Sequence, residues 1–138
     1  MGFVRTTVDD GGRIASMSRA GVGFLANVIP KAFAAETDET LTVNEISGGL
    51  IIQGTTLTSD VIYTLPTAAL IVAEWPEMDV GDAYSFYVGN TQVGAFDVVI
   101  AVGVGITAVG ANNSLSVPPQ ASRMFTLVKT AAAAYDLY

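Results

Sequence analysis

Gly94-Ala95-Phe96-Asp97-Val98-Val99-Ile100-Ala101-Val102 sets the architecture. A β-strand turns successive side chains to opposite faces, so Phe96, Val98, Ile100 and Val102 share one face and Val99 and Ala101 the other. Both faces are apolar. Leu50-Ile51-Ile52 is apolar throughout, and over residues 122–130 Phe125 and Leu127 point one way while Met124 and Val128 point the other. An antiparallel sheet normally leaves one face wet and polar. Strands that are apolar on both sides need a second cover. An identical subunit supplies it most simply, because most oligomers are symmetric homo-oligomers. Val99, Ala101, Met124 and Val128 are therefore the candidate oligomer interface, and the alternative cover is the chain's own N-terminal segment.

Outward from that strand the pattern stays β. Val, Ile and Thr make up 40 of the 138 residues, and these branched side chains favour pleated surfaces. Fourteen glycines and five prolines punctuate them. Strands are expected at 40–46, 49–54, 60–65, 83–89, 94–102, 105–109, 114–117, 122–130 and 134–138. Short strands with turns between them indicate a sandwich or barrel. One helix is expected between Leu65-Pro66 and Trp75-Pro76, with Pro66 at its start, Thr67 as a possible cap and Pro76 as its stop. A buried strand over Ala69–Ala73 is the other reading of that segment.

The chain divides near residue 35. Phe3-Val4-Arg5-Thr6-Thr7-Val8 reads as one strand, and Asp9-Asp10-Gly11-Gly12 as a turn. From Ile14 to Ile29 the apolar spacing is loosely helical, weakened by Gly21 and Gly23 at about 1 kcal/mol each. Residues 1–35 are read as an extended arm, Glu36-Thr37-Asp38-Glu39 as a solvated hinge, and residues 36–138 as the β domain. Charge divides at the same place. Residues 1–31 carry Arg5, Arg13, Arg19 and Lys31 against Asp9 and Asp10, whereas residues 32–138 carry only Arg123 and Lys129 against 11 acids. The acidic body repels phosphate backbones, so no nucleic-acid partner is expected. The basic arm suits an acidic neighbour, unless its scattered charges merely solvate it.

Composition excludes several chemistries. With no cysteine there is no disulfide, thiolate nucleophile or Cys-ligated metal; with no histidine there is no Ser-His-Asp triad and no His-ligated metal. Hydrophobic residues make up 51% and charged residues 14%, against about 25% charged in an ordinary soluble domain. No apolar run reaches the roughly 18 residues of a membrane span, so no membrane partner is expected. Residues 19–34 imitate a signal peptide, but the apolar stretch is short, holds Asn27 and is followed by Pro30. Glu74, Glu77, Asp79 and Asp82 around Trp75 suggest a glycosidase pair, but acids in a turn-rich stretch are more often a solvated loop. Asp79-Val80-Gly81-Asp82 lacks the spacing of a calcium loop, and Gly103-Val104-Gly105 lacks that of a dinucleotide fingerprint. Tyr84, Tyr87, Tyr135 and Tyr138 could line a glycan-binding face or sit half-buried in a sheet. No catalytic residue, cofactor or metal ligand emerges.

Leu65-Pro66-Thr67-Ala68-Ala69, Val80-Gly81-Asp82-Ala83-Tyr84-Ser85-Phe86 with Asn90-Thr91, Gly103 to Gly110, and Ala121 to Leu127 with Tyr135-Asp136-Leu137-Tyr138 share a pattern. It resembles small structural proteins of tailed bacteriophages and related viruses, over about the last 75 residues. The resemblance implies an all-β fold, a jelly-roll-like or Greek-key β-sandwich, with one short helix and the extended arm added by the residue reading. It implies a virion protein at the capsid surface, a decoration or cement protein, often a homotrimer, whose partner is the major capsid protein. The arm lies outside the resemblance; its candidate contacts are Phe3, Val4, Arg5, Arg13, Ile14, Arg19, Phe24, Leu25 and Ile29. The competing expectation is a receptor- or glycan-binding fibre module using the tyrosines and loops 76–82 and 110–121.

Overall fold

The computed structural model describes residues 28–110 and 115–138. Its elements run β1 (Lys31–Phe33), β2 (Glu39–Thr40), α1 (Val43–Ser47), β3 (Leu50–Gln53), β4 (Val61–Thr64), α2 (Ala68–Glu74), β5 (Ala83–Asn90), β6 (Val98–Ala101), β7 (Ile106–Ala108), β8 (Ser116–Val117), β9 (Ala121–Ala131) and β10 (Ala134–Leu137). They build two mixed sheets, one of six strands in the order β1-β3-β5-β9-β10-β7 and one of four in the order β2-β4-β6-β8. Phe86, Val88, Phe125 and Leu127 of the first sheet and Val61, Tyr63, Val98, Ile100 and Val117 of the second are buried in one core. The arrangement is mostly β and sandwich-like.

The chain winds between the sheets. It runs β1 to β2, returns through α1 to β3, runs on to β4, returns through α2 to β5 and runs on to β6. Each winding stacks parallel on the last: Ile51 pairs with Lys31 and with Val88, and Tyr63 pairs with Glu39 and with Ile100. Parallel neighbours need crossover connections, which the two helices provide here. Antiparallel pairing enters only afterwards, as β9 returns along β5 and β10 along β9, and as β8 pairs with β6.

Two helices are present among the described residues where one was expected. The helix at Ala68–Glu74 is capped by Thr67, whose hydroxyl accepts from the Leu70 N–H at 3.3 Å. The strand expected over 40–46 is instead β2 followed by α1. Thr42 and Glu45 form a capping box there: Thr42 N–H donates to Glu45 Oε2 at 2.8 Å and Glu45 N–H donates to Thr42 Oγ1 at 3.2 Å. Reciprocal capping satisfies two otherwise orphaned donors and starts the helix. The apolar residues Val43 and Ile46 then lie one helical turn apart and are both buried.

The boundary region is part of the body. Lys31–Phe33 forms β1 at the edge of the six-stranded sheet, and Ile29 N–H donates to Gly48 O at 2.9 Å. The segment read as a solvated hinge is tied down. Glu36 accepts from the backbone and hydroxyl of Thr58 and from Ser59 N–H, Asp38 Oδ1 accepts from Ile62 N–H at 2.8 Å, and Glu39 lies in β2. The rest of the arm reading, residues 1–27, lies outside the described residues.

Candidate interaction surfaces

Alternation along the strands sorts each sheet into a buried face and an outer face. On β5, Phe86 and Val88 face the core while Ala83, Ser85 and Tyr87 are exposed; on β9, Phe125, Leu127 and Lys129 are buried while Met124 is 51% exposed. Register then assembles the outer face of the six-stranded sheet row by row. Leu50, Tyr87 and Met124 form one row across β3, β5 and β9. Ser85 and Thr126 form the next, their hydroxyls 2.8 Å apart, with Tyr138 alongside because its backbone exchanges hydrogen bonds of 2.9 and 3.0 Å with Thr126. Ala83, Val128, Asp136 and Thr107 form the third. Asp136 is the single charged residue in these rows.

The outer face of the four-stranded sheet is smaller and carries no charge in its paired rows. Ile62 pairs with Val99, which pairs on its other side with Ser116, and Thr64 pairs with Ala101. Val99 and Ala101 are half-buried there, and Ile62 is 41% exposed. The four residues proposed as one interface are therefore divided: Met124 and Val128 lie on one outer face, Val99 and Ala101 on the other. Period-2 alternation says which residues share a strand face, not which sheet holds the strand. Tyr87 and Leu50 were missed as partners of Met124. Tyr87 alternates with Phe86 and Val88, a local signal for the outer face, but nothing local to the sequence pairs it with Met124.

The tyrosines do not form one surface either. Tyr135 is fully buried, and Tyr84 packs inward with its ring 4.8 Å from that of Trp75 and its hydroxyl donating to Ser47 O at 2.7 Å. Burial raises the Tyr84 and Tyr135 hydroxyl pKa values above the ordinary range. Only Tyr87 and Tyr138 of the four are well exposed, at 49% and 56%.

Of the acids near Trp75, Asp82 holds a turn with its carboxylate. Asp79 N–H donates to Asp82 Oδ2 at 2.9 Å, and Gly81, at φ 99°, donates its N–H to Lys129 O. Lys129 is buried and its ammonium donates to Met78 O at 2.7 Å, which fastens this loop to β9. Among the described residues no cluster of acids is arranged to hold a metal ion. The glycines 103 and 105 also have structural roles. A Cβ on Gly103 would come within 2.6 Å of Leu65 O, and Gly105 adopts φ 84° against Ala68.

One ion pair is formed at the β1 edge, Lys31 Nζ to Glu45 Oε1 at 2.8 Å, with the ammonium also 5.0 Å from the Phe33 ring centroid. The hydrogen bond and charge of Glu45 raise the Lys31 pKa. Partial burial works against ionised Glu45, but Lys31 and Thr42 outweigh it and its pKa is lowered. Leu41, Val43, Leu70 and Ala73 line a shallow hollow between the start of α1 and α2.

Of the proposed arm contacts, Ile29 is described and is 68% exposed, while Phe3, Val4, Arg5, Arg13, Ile14, Arg19, Phe24 and Leu25 lie outside the described residues. No family model, curated protein or solved structure matches the chain.

Proposed function

We propose that the chain is a virion structural protein: a capsid decoration protein that trimerises and cements the shell by binding the major capsid protein through its N-terminal segment. The observation that supports this reading best is the nearly uncharged outer face of the six-stranded sheet on a body of strongly negative charge. Such a face suits permanent cohesion between like copies, because it buries apolar area without stranding charges. The trimer contact belongs to the rows around Tyr87, Met124 and Val128. The capsid contact belongs to the N-terminal segment, now ending before β1. The jelly-roll or Greek-key connectivity of the resemblance rests on antiparallel neighbours; here that character is confined to β5-β9-β10 and β6-β8.

The test is antibody labelling of intact particles viewed by electron microscopy. Label spread over the whole shell is the expected result. Label confined to a fibre or tail tip would replace decoration with receptor binding, making Tyr87 and Tyr138 the next residues to change. Particles that carry no label would overturn the virion reading altogether.

A further inference from the structure

Gly89 is the only glycine inside a strand among the described residues. A glycine in a strand interior weakens the strand, and it marks a bulge, a tight bend or the close approach of another body. The first two do not apply. Register runs unbroken on both sides of β5: Val88, Gly89 and Asn90 pair with Ile51, Ile52 and Gln53 of β3 and with Arg123, Ser122 and Ala121 of β9. The φ of Gly89 lies outside the left-handed region. Beyond its chain neighbours, a Cβ built on it would meet Ile51 O alone, at an ordinary 3.9 Å. Nothing within the fold requires a glycine at this position.

The missing side chain leaves a hollow on the outer face of the six-stranded sheet. Gly89 shares a face with Tyr87, two residues before it, and its partner Ser122 shares a face with Met124. Gly89, Asn90, Thr91, Gln120, Ala121 and Ser122 line a hollow of about 350 Å³. None of the six is charged. Copies that each carry a formal charge of −7 repel where their acids meet. An uncharged hollow beside the Leu50-Tyr87-Met124 row is a place where a second copy can be received. Its lining mixes hydroxyls and amides with bare backbone and a methyl group, which suits an aromatic ring with a polar tip.

The same face carries such a ring. Tyr138 is exposed and lies beside Thr126, with which its backbone exchanges two hydrogen bonds. Thr126 follows Ser122 by four residues on β9. At about 3.3 Å per residue, Tyr138 stands roughly 13 Å from the hollow along the strand direction. It lies on the far side of the Leu50-Tyr87-Met124 row, beyond the reach of its own side chain. Contacts in a three-fold ring are heterologous, so the patch each copy gives differs from the patch it takes. A projecting ring and a hollow set apart on one face meet that requirement.

We propose that the hollow over Gly89 is the socket of the trimer contact and that Tyr138 of a second copy fills it. Each copy gives its ring to one neighbour and receives the ring of the other. This rests on the trimer reading above and names the pair of sites through which the ring of copies closes.

Two measurements on the full-length protein test it. Gly89→Val fills the socket, while the open space around the Cβ leaves the single chain intact. The concentration at which half the chains are trimeric, read by sedimentation equilibrium, is expected to rise at least about tenfold. The urea midpoint, compared at a dilution where parent and variant are both monomeric, is expected not to fall. The second measurement combines Ser122→Cys with Tyr138→Cys in a chain that has no other cysteine. The two positions are too far apart for a disulfide within one copy. Mild oxidation of the double variant is expected to give covalent trimers on a non-reducing gel, and neither single variant is expected to cross-link. A trimeric parent whose assembly is untouched by Gly89→Val, or whose cysteine pair does not join copies, would overturn the socket and leave the trimer reading standing. Cross-linking by either single variant would show like patches meeting and would also overturn the socket. A parent that is not trimeric at any concentration would overturn both.

Discussion

Gln53 and Asn90 stand side by side at the ends of β3 and β5, both fully buried. Each amide holds the turn that carries the chain from one sheet to the other. Gln53 Nε2 donates to Ala35 O at 3.0 Å and to Tyr63 Oη at 2.9 Å, while its Oε1 accepts from Thr55 N–H at 2.9 Å. Asn90 Nδ2 donates to Phe96 O and Val117 O, both at 3.0 Å. The Gln53 amide is tolerated because both its groups are paired, and removing one partner exposes the desolvation cost of the other. Gln53→Leu is expected to cost about 1–3 kcal/mol, read from urea unfolding. Tyr63→Phe removes only the acceptor and costs less; the double variant loses less than the sum of the two, because both changes break the same bond. At Glu36 the bonds from Thr58 lead in holding the carboxyl below its ordinary pKa. A depressed folded-state pKa gives stability that is present above the unfolded value and lost as pH falls through the folded one. Glu36→Gln is therefore expected to flatten the fall in unfolding midpoint between neutral pH and the acid side of the carboxylate range. An unchanged slope would show that this contact contributes nothing. None of these roles was legible beforehand: a lone Gln or Asn in an apolar run carries no local mark of which turn it will hold.

At the scale of elements, close backbone approach explains two glycines. A Cβ on Gly48, the C-cap of α1, would collide with the carbonyl oxygen of Ile29 just before β1. Gly103 lies against the Leu65 and Pro66 carbonyls that lead into α2. Gly48→Ala and Gly103→Ala are each expected to destabilise by about 1–3 kcal/mol through overpacking, with thermal melts as the measure. Because Gly48 meets the lead into β1, its variant should also speed amide exchange in Ile29–Phe33. Thr42→Ala removes the capping hydroxyl of α1 and should cost about 1 kcal/mol. The long strands and α2 were legible because alternation and paired prolines are strong local signals. Helix α1 was not, since Leu41-Thr42-Val43 alternates like a strand and Thr42 and Glu45 both fall inside the strand expected over 40–46. Strand β1, of three residues, is too short to show a period. Parallel pairing was illegible for a different reason: period 2 fixes a strand's faces and says nothing about its neighbours.

Across the whole molecule, the two outer faces point away from one shared core, and this constrains how copies can associate. If opposite faces of successive copies met, the contacts would be heterologous and would tend to continue as a stack rather than close. A closed trimer instead turns the same face of each copy toward the three-fold axis. The six-stranded face is the candidate, since it offers Leu50, Tyr87 and Met124 in one row and Tyr138 in the next, with Asp136 off to one side. Met124→Lys would place three like charges around that axis in a nearly uncharged setting, where each is costly to bury unpaired. The expected outcome is a shift from trimer to monomer in sedimentation velocity. The unfolding free energy of the separated chain should stay within about 0.5 kcal/mol of its parent's, compared at a dilution where the parent is also monomeric, because the substituted side chain is exposed on the single copy. Ile62→Lys, on the four-stranded face, should leave the trimer intact. A trimer that survives Met124→Lys and falls apart with Ile62→Lys would transfer the interface to Val99 and Ala101. If both variants remain trimeric, neither sheet face holds the copies together, and the N-terminal segment becomes the element that does.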